Sequence, residues 1–195
     1  MDTKTPHTKA MVSLKNQFLI AMPSLNQSFF SHTISLMCNH DETGAMGLII
    51  NQPLDVPLGE IYSQVGIDDP EHCAHADAPV LCGGPVQTDR GFVLHSPEKR
   101  WNSTLPVSEK VSLTVSLDVI HAIARGEGPE KFLVMLGYAG WDGGQLEEEI
   151  SENAWLTSEA DDSIVFDTPI EQRWSTASQS LGINLDLIPS SAGHA

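Results

Sequence analysis

The run KFLVMLG at 131–137 constrains this chain more than any other segment. It is continuously apolar and ends on glycine, which predicts a buried strand. GYAGWDGG then leads into QLEEEISENAWL (145–156), which has helical periodicity. A strand, a glycine-rich turn and a helix in that order often cradle phosphate, because the first amides of a helix lack internal partners. Here the first helical turn holds Glu147, Glu148 and Glu149, carboxylates that already complement the positive end of the helix dipole. The loop has no Lys or Arg, and neither the Gly-Lys-Ser/Thr ending of a Walker loop nor the GxGxxG spacing is present. The stretch reads as a structural turn whose glycines let Trp141 and the backbone pack closely, not as a nucleotide site.

Strand signals dominate the rest of the chain. QFLIAM (17–22) reads as a strand stopped by Pro23, and SLNQSFF as a helical turn capped by Ser24. HTISLMC (32–38) and AMGLIIN, joined by the polar turn NHDETG, read as a hairpin. PLGEIYSQVG predicts a helix burying Leu58, Ile61, Tyr62 and Val65, with Pro57 suited to its start. After a polar loop at 67–79, PVLCGGP and RGFVLHS predict two short strands separated by Gly83-Gly84-Pro85 and VQTD. VSLTVS predicts a strand, SLDVIHAIARGEG a helix stopped at Gly126, and SIVFD another strand. IEQRWSTASQSLG predicts a last helix with Ile170, Trp174, Ala177 and Leu181 on one stripe. Strands outnumber helices and mostly neighbour one another, so the class is α+β in one domain spanning 1–195, with flexible tails at 1–12 and 190–195.

Ten Lys and Arg against 26 Asp and Glu give a formal charge of −16. Binding a phosphate backbone relies on cations that release counterions, so direct nucleic-acid binding is disfavoured and a protein or small-molecule partner is expected. No apolar run is long enough for a membrane helix, and the N-terminus lacks the apolar centre of a secretory signal, so a cytoplasmic protein is expected. The odd set Cys38, Cys73 and Cys82 makes no complete disulfide framework.

Three groups of residues offer chemistry. Cys38 and His40 stand two apart on a strand, the spacing that puts a thiol and an imidazole on one face, although Cys38 alternates with core residues. His72, Cys73, His75 and Cys82 are zinc-type ligands, but Cys82 stands alone and no second compact knuckle exists, so no metal and no cofactor are expected. Gly83 and Gly84, with Arg90 and His95, form the best polar constellation: amides and a cation that can meet an anion, set against an ordinary Asp89-Arg90 turn. Gly83, Gly84, Arg90, His95 and Trp141 are accordingly the candidate ligand-binding residues. No Ser-His-Asp, paired-carboxylate or HExxH arrangement is present, so a non-enzymatic binding or regulatory protein is the leading expectation. The alternative is a small hydrolase or thiol enzyme with its site around Gly83–Ser96.

FLIAMPSL (18–25), HDETGAMGLIINQPL (40–54), LCGGPVQTDRGFVLHS (81–96), GYAGWDGGQLEEEISENAWL (137–156) and FDTPIEQRW (166–174) together resemble the AlgH/YqgE family of bacterial proteins, in order and over nearly the whole chain. Asn26-Gln27 departs from the family pattern, which has an acidic residue followed by a small one or proline. The resemblance implies an α+β fold, a bifurcated mixed β-sheet rolled into a pseudo-barrel with flanking helices. It supplies no catalytic residue, cofactor or substrate for a family of uncharacterised function. The family name implies a link to transcriptional regulation, which at this net charge would act through protein partners.

Overall fold

The computed structural model describes residues 12–25 and 27–188. The expected tails lie outside these residues except for exposed Val12, as does Asn26. In chain order the strands and helices are β1 (Gln17–Ala21), β2 (Ile34–Asp41), β3 (Gly44–Ile49), β4 (Pro53–Pro57), α1 (Leu58–Gln64), β5 (Pro79–Cys82), β6 (Val86–His95), β7 (Thr104–Pro106), β8 (Ser112–Thr114), α2 (Leu117–Ala124), β9 (Phe132–Asp142), α3 (Gln145–Ser151), β10 (Trp155–Glu159), α4 (Asp162–Phe166) and α5 (Arg173–Ser180).

All the strands belong to one curled sheet, a half-barrel ordered β10-β1-β2-β3-β9-β6-β8-β7, with β4 and β5 on a branch. β9 is the fork. Its first half, Val134–Leu136, pairs in parallel with β5, while Ala139–Asp142 pairs antiparallel with β3. β6 runs antiparallel along Phe132–Leu136. The largest core fills the inside of the curl. Phe18, Leu36, Leu48, Leu81, Leu94 and Met135 meet there beneath Ile164, Val165, Trp174 and Ala177 of α4 and α5. α1 and α2 cover Val80, Val93 and Val134 on the outer face of one wing, and α3 covers Leu19, Met37 and Trp141 on the other. With apolar layers on both sides, β2 is buried without alternation from Ile34 to Cys38.

Several segments depart from the sequence expectation. GYAGWD is not a turn: β9 continues through it, and only Gly143-Gly144 turns into α3. VQTD likewise belongs to β6, so Asp89-Arg90 lies on a strand. The hairpin turn shrinks to Glu42-Thr43, because Asn39–Asp41 pair with Gly44–Met46. α3 stops at Ser151, and Trp155 begins a strand instead of completing the helix. SIVFD is helical, since Asp161 caps it by accepting hydrogen bonds from the Ser163 amide (2.9 Å) and hydroxyl (2.8 Å). Leu181 falls beyond α5 and is 39% exposed, while Arg173, absent from the expected stripe, is buried. Its Nε donates to Thr168 O at 3.0 Å and its Nη1 to Ile50 O, so the guanidinium ties α5 to the end of β3. Burial lowers its pKa to about 10, which leaves it charged at neutral pH.

The fork in β9 depends on a backbone crossing. The Gly83 amide donates to Leu136 O (2.8 Å), and the Ile49 amide donates to Gly83 O (2.8 Å), so one residue links β9 to β3. A Cβ on Gly83 would stand 2.3 Å from Gly137 O, and one on Gly84 would stand 2.1 Å from the Tyr138 carbonyl carbon. Gly137 has φ +74, in the left-handed region that glycine adopts at little cost. Gly83→Ala must push two backbones apart and should cost more than about 4 kcal/mol, in the range reserved for disruption of a core. Gly66→Ala, at φ +76 with nothing near its Cβ, should cost about 1–2 kcal/mol from conformation alone. Urea denaturation of the two variants measures the difference.

Candidate functional site

The structure separates the residues that the sequence offers as one constellation. Gly83 and Gly84 are buried in the β9 crossing, and the amide and carbonyl of Gly83 are both engaged there, with Leu136 and Ile49. Trp141 lies under α3, where its Nε1 donates to Glu149 Oε2 at 2.9 Å. Trp155 Nε1 donates to the same oxygen at 2.8 Å, and the two indoles meet edge to face. Glu149 is thus more than a complement to the helix dipole: it is the shared acceptor that fixes two tryptophans of the outer core.

Cys38 and His40 face opposite sides of the sheet. β2 carries one extra residue between Met37 and Asn39 relative to β3, a β-bulge that breaks the two-residue repeat. Cys38 therefore points into the inner core, while His40 shares a face with its cross-strand partner Ala45 under α3. Burial drives the Cys38 thiol up to about 12, so it carries essentially no thiolate at neutral pH. The Leu14 amide donates to His40 Nδ1 at 2.9 Å, which leaves Nε2 to donate to Glu147 Oε1 at 2.8 Å. His40 ties the N-terminal arm to α3. Among the described residues, no group of three His, Cys, Asp or Glu side chains could hold a metal ion. His72 pairs instead with Asp69 (2.7 Å), and His75 packs edge-on against Phe132.

His95 is fully buried at the end of a hydrogen-bonded chain. Its Nδ1 donates to Ser96 O (2.8 Å), so in the neutral ring Nε2 accepts from Thr114 Oγ1 (2.8 Å). Thr114 accepts in turn from Thr104 Oγ1 (2.7 Å), which accepts from the Trp101 amide (2.9 Å). Every proton is assigned, and burial holds the imidazole below its ordinary pKa.

Of the five candidates, Arg90 lines a cleft at the protein surface. The cleft, about 160 Å3, lies between β6, the C-terminal end of α1 and the β8–α2 junction. Ile61, Ile120, Val93 and Leu136 form apolar walls, Asp89 and Arg90 stand on β6, and Thr114 is the lining residue that leads back to His95. Leu117, 55% exposed, stands on the rim. Arg90 reaches Gln87 Oε1 at 3.2 Å, and its guanidinium carbon lies 5.4 Å from the centre of the Phe92 ring. Neither Asp89 nor Arg90 has an ion-pair partner among the described residues. A larger recess, about 560 Å3, lies beside Glu109, Glu159, Asp161 and Asp162. Its walls are mainly polar, and its cation Lys110 is already paired with Asp162 at 2.7 Å. The smaller cleft has the better chemistry for a ligand, apolar walls with a few polar groups at the mouth. Sequence reasoning missed the contribution of α1, α2 and the β8–α2 junction, which no local signal connects to Arg90.

The His95 network predicts a pH dependence. The folded state holds the imidazole neutral below the unfolded value near 6.5, so the unfolded chain takes up more protons as the pH falls. This contribution is intact above that value and is lost progressively below it. His95→Gln should cost about 1–3 kcal/mol at pH 7.5, by breaking the buried chain, and should flatten the decline between pH 7 and 5. Urea unfolding at several pH values measures both effects.

Comparisons with known proteins place this architecture. Residues 18–186 match the model of the AlgH-like family. A UPF0301 protein of Thioalkalivibrio sulfidiphilus is 52% identical over 186 residues, covering 95% of this chain and 99% of the relative. One from Saccharophagus degradans is 50% identical over 184 residues, covering 94% and 90%. The solution structure of the AlgH protein from Pseudomonas aeruginosa is 46% identical, covers all of both chains and superposes with a TM-score of 0.76. A Corynebacterium diphtheriae protein shares the fold at 19% identity, with a TM-score of 0.69 over 96% of this chain and 93% of the other. The forked α+β half-barrel and the sequence agree: the chain belongs to the AlgH-like family.

Proposed function

We propose that this is a single-domain cytosolic binding or regulatory protein that engages a small molecule or a partner's side chain in the cleft beside Arg90. The carrying observation is the cleft itself, a mainly apolar cavity lined also by Asp89 and Arg90, neither of which has an ion-pair partner among the described residues. Consistent with this reading, the two histidines and the thiol that the sequence offers as candidates are engaged elsewhere: His95 and His40 in hydrogen bonds at both ring nitrogens, and Cys38 in the core. Among the described residues no helix is long and apolar enough to cross a membrane. The net charge of −16 favours a regulatory role exercised through protein or small-molecule contacts over direct contact with DNA or RNA. A link to transcription rests on the family name alone.

One observation favours the alternative of a small hydrolase. Thr114 Oγ1 donates to a neutral, carbonyl-oriented imidazole, the relation that activates a hydroxyl for attack. Thr114 is nevertheless fully buried, so the binding reading stands first.

Native mass spectrometry of gently purified protein tests the ranking. We expect an excess mass over the denatured chain that disappears in Gly91→Leu, which sets a side chain beside the cleft where nothing lies within 4 Å of the Cβ. The variant's stability should stay within about 0.5 kcal/mol of the parent. A ligand retained in Gly91→Leu would move the site elsewhere, and ester hydrolysis abolished by Thr114→Val would favour the hydrolase.

A further inference from the structure

The structure assigns a ligand class to this cleft: we propose that it takes a free hydrophobic α-amino acid, its side chain inside, its carboxylate on Arg90 and its ammonium group on Asp89. The inference rests on the binding reading above and narrows it. Three observations carry it.

The first is size. A cavity of about 160 Å3 is close to the roughly 150 Å3 that accommodates one benzene molecule in an apolar core. That volume suits a leucine, methionine or phenylalanine side chain and excludes a nucleobase with its sugar. Ile61, Val93, Ile120 and Leu136 offer such a group no hydrogen-bond donor or acceptor from their side chains.

The second is the pair at the mouth. Asp89 and Arg90 are adjacent on β6, both line the cleft, and neither is ion-paired among the described residues. Successive strand residues ordinarily face opposite ways. Here the register of β6 against β9 shifts between Val86 and Gly91, and such irregularities twist a strand and re-aim its side chains. A guanidinium matches a carboxylate as a two-pronged donor, and a carboxylate accepts from an ammonium group, so one zwitterion satisfies both.

The third is the charge of the whole chain. At −16 the protein repels anions at long range, which disfavours a simple organic acid as the ligand for Arg90. A zwitterion has no net charge, so it approaches without that penalty and still presents both charges at contact.

Amide chemical-shift titration of the full chain tests this with L-leucine and L-phenylalanine. The expected shifts centre on Gly91, Val115 and Leu117. N-acetyl-leucine, which lacks the ammonium group, and isopentylamine, which lacks the carboxylate, should each bind at least tenfold more weakly than leucine. Arg90→Gln and Asp89→Asn, both exposed and outside every core, should each weaken leucine tenfold while leaving benzene binding unchanged. Equal affinity for leucine, N-acetyl-leucine and isopentylamine would overturn the assignment of the two charges. A peptide ending in leucine that binds as tightly as the free amino acid would also overturn it, in favour of a protein C-terminus. Binding of benzene without any preference for the zwitterion would leave the cleft as a binding site and remove this ligand class. If neither the amino acids nor benzene perturbed these amides, the binding reading itself would fall.

Discussion

The molecule is organised around the close approach of Gly83 and Gly84 to β9 at Gly137 and Tyr138. β9 gives one half of its length to β5 and the other to β3, and the two wings can diverge only where backbone passes backbone without side chains between them. Gly83 closes the gap by accepting from Ile49 and donating to Leu136. Once the fork is set, the inner faces of both wings enclose one core, and each outer face needs its own cover. α1 and α2 supply one and α3 the other. The cleft beside Arg90 lies at the margin of the α1–α2 cover, where β6 runs past the regular ladder to β9.

Much of the polar chemistry in the interior serves this scaffold. Glu149 anchors two indoles, Arg173 ties α5 to the strand end at Ile50, and His40 joins the N-terminal arm to α3. His95 closes a chain of hydroxyls between β6, β8 and β7. A buried polar group left unpaired costs about 1–3 kcal/mol, so satisfying these partners is a condition of folding and not a sign of catalysis. Asp89 and Arg90 differ. They are exposed, unpaired with each other or with another ion among the described residues, and beside an apolar cavity.

The fold class was legible because apolar runs such as QFLIA and FLVML carry strand signals of their own, and PLGEIYSQVG has a clean helical stripe. The motifs quoted from the chain point to the family. Errors arose where a local pattern has two physical solutions. SIVFD is short and apolar enough for either state, and the cap at Asp161 decides for helix. Glycine in GYAGWD reads as a turn, yet here it marks close contact within a strand. β4, flanked by prolines, and three-residue β7 offered too little pattern to be read. The site was less legible. A one-residue bulge sends His40 away from Cys38, and the walls around Arg90 come from elements far apart in sequence. Bulges and long-range packing leave no periodicity to read.

Native-state hydrogen exchange resolved by residue tests the central role of the crossing most directly. The amides of Gly83 and Ile49, which carry its two hydrogen bonds, should exchange only through global unfolding, with opening free energies equal to that from urea denaturation. Amides of the β7 edge should open at much lower free energy. If Gly83 and Ile49 exchanged as readily as the β7 edge, the fork would be a consequence of the wings rather than their cause.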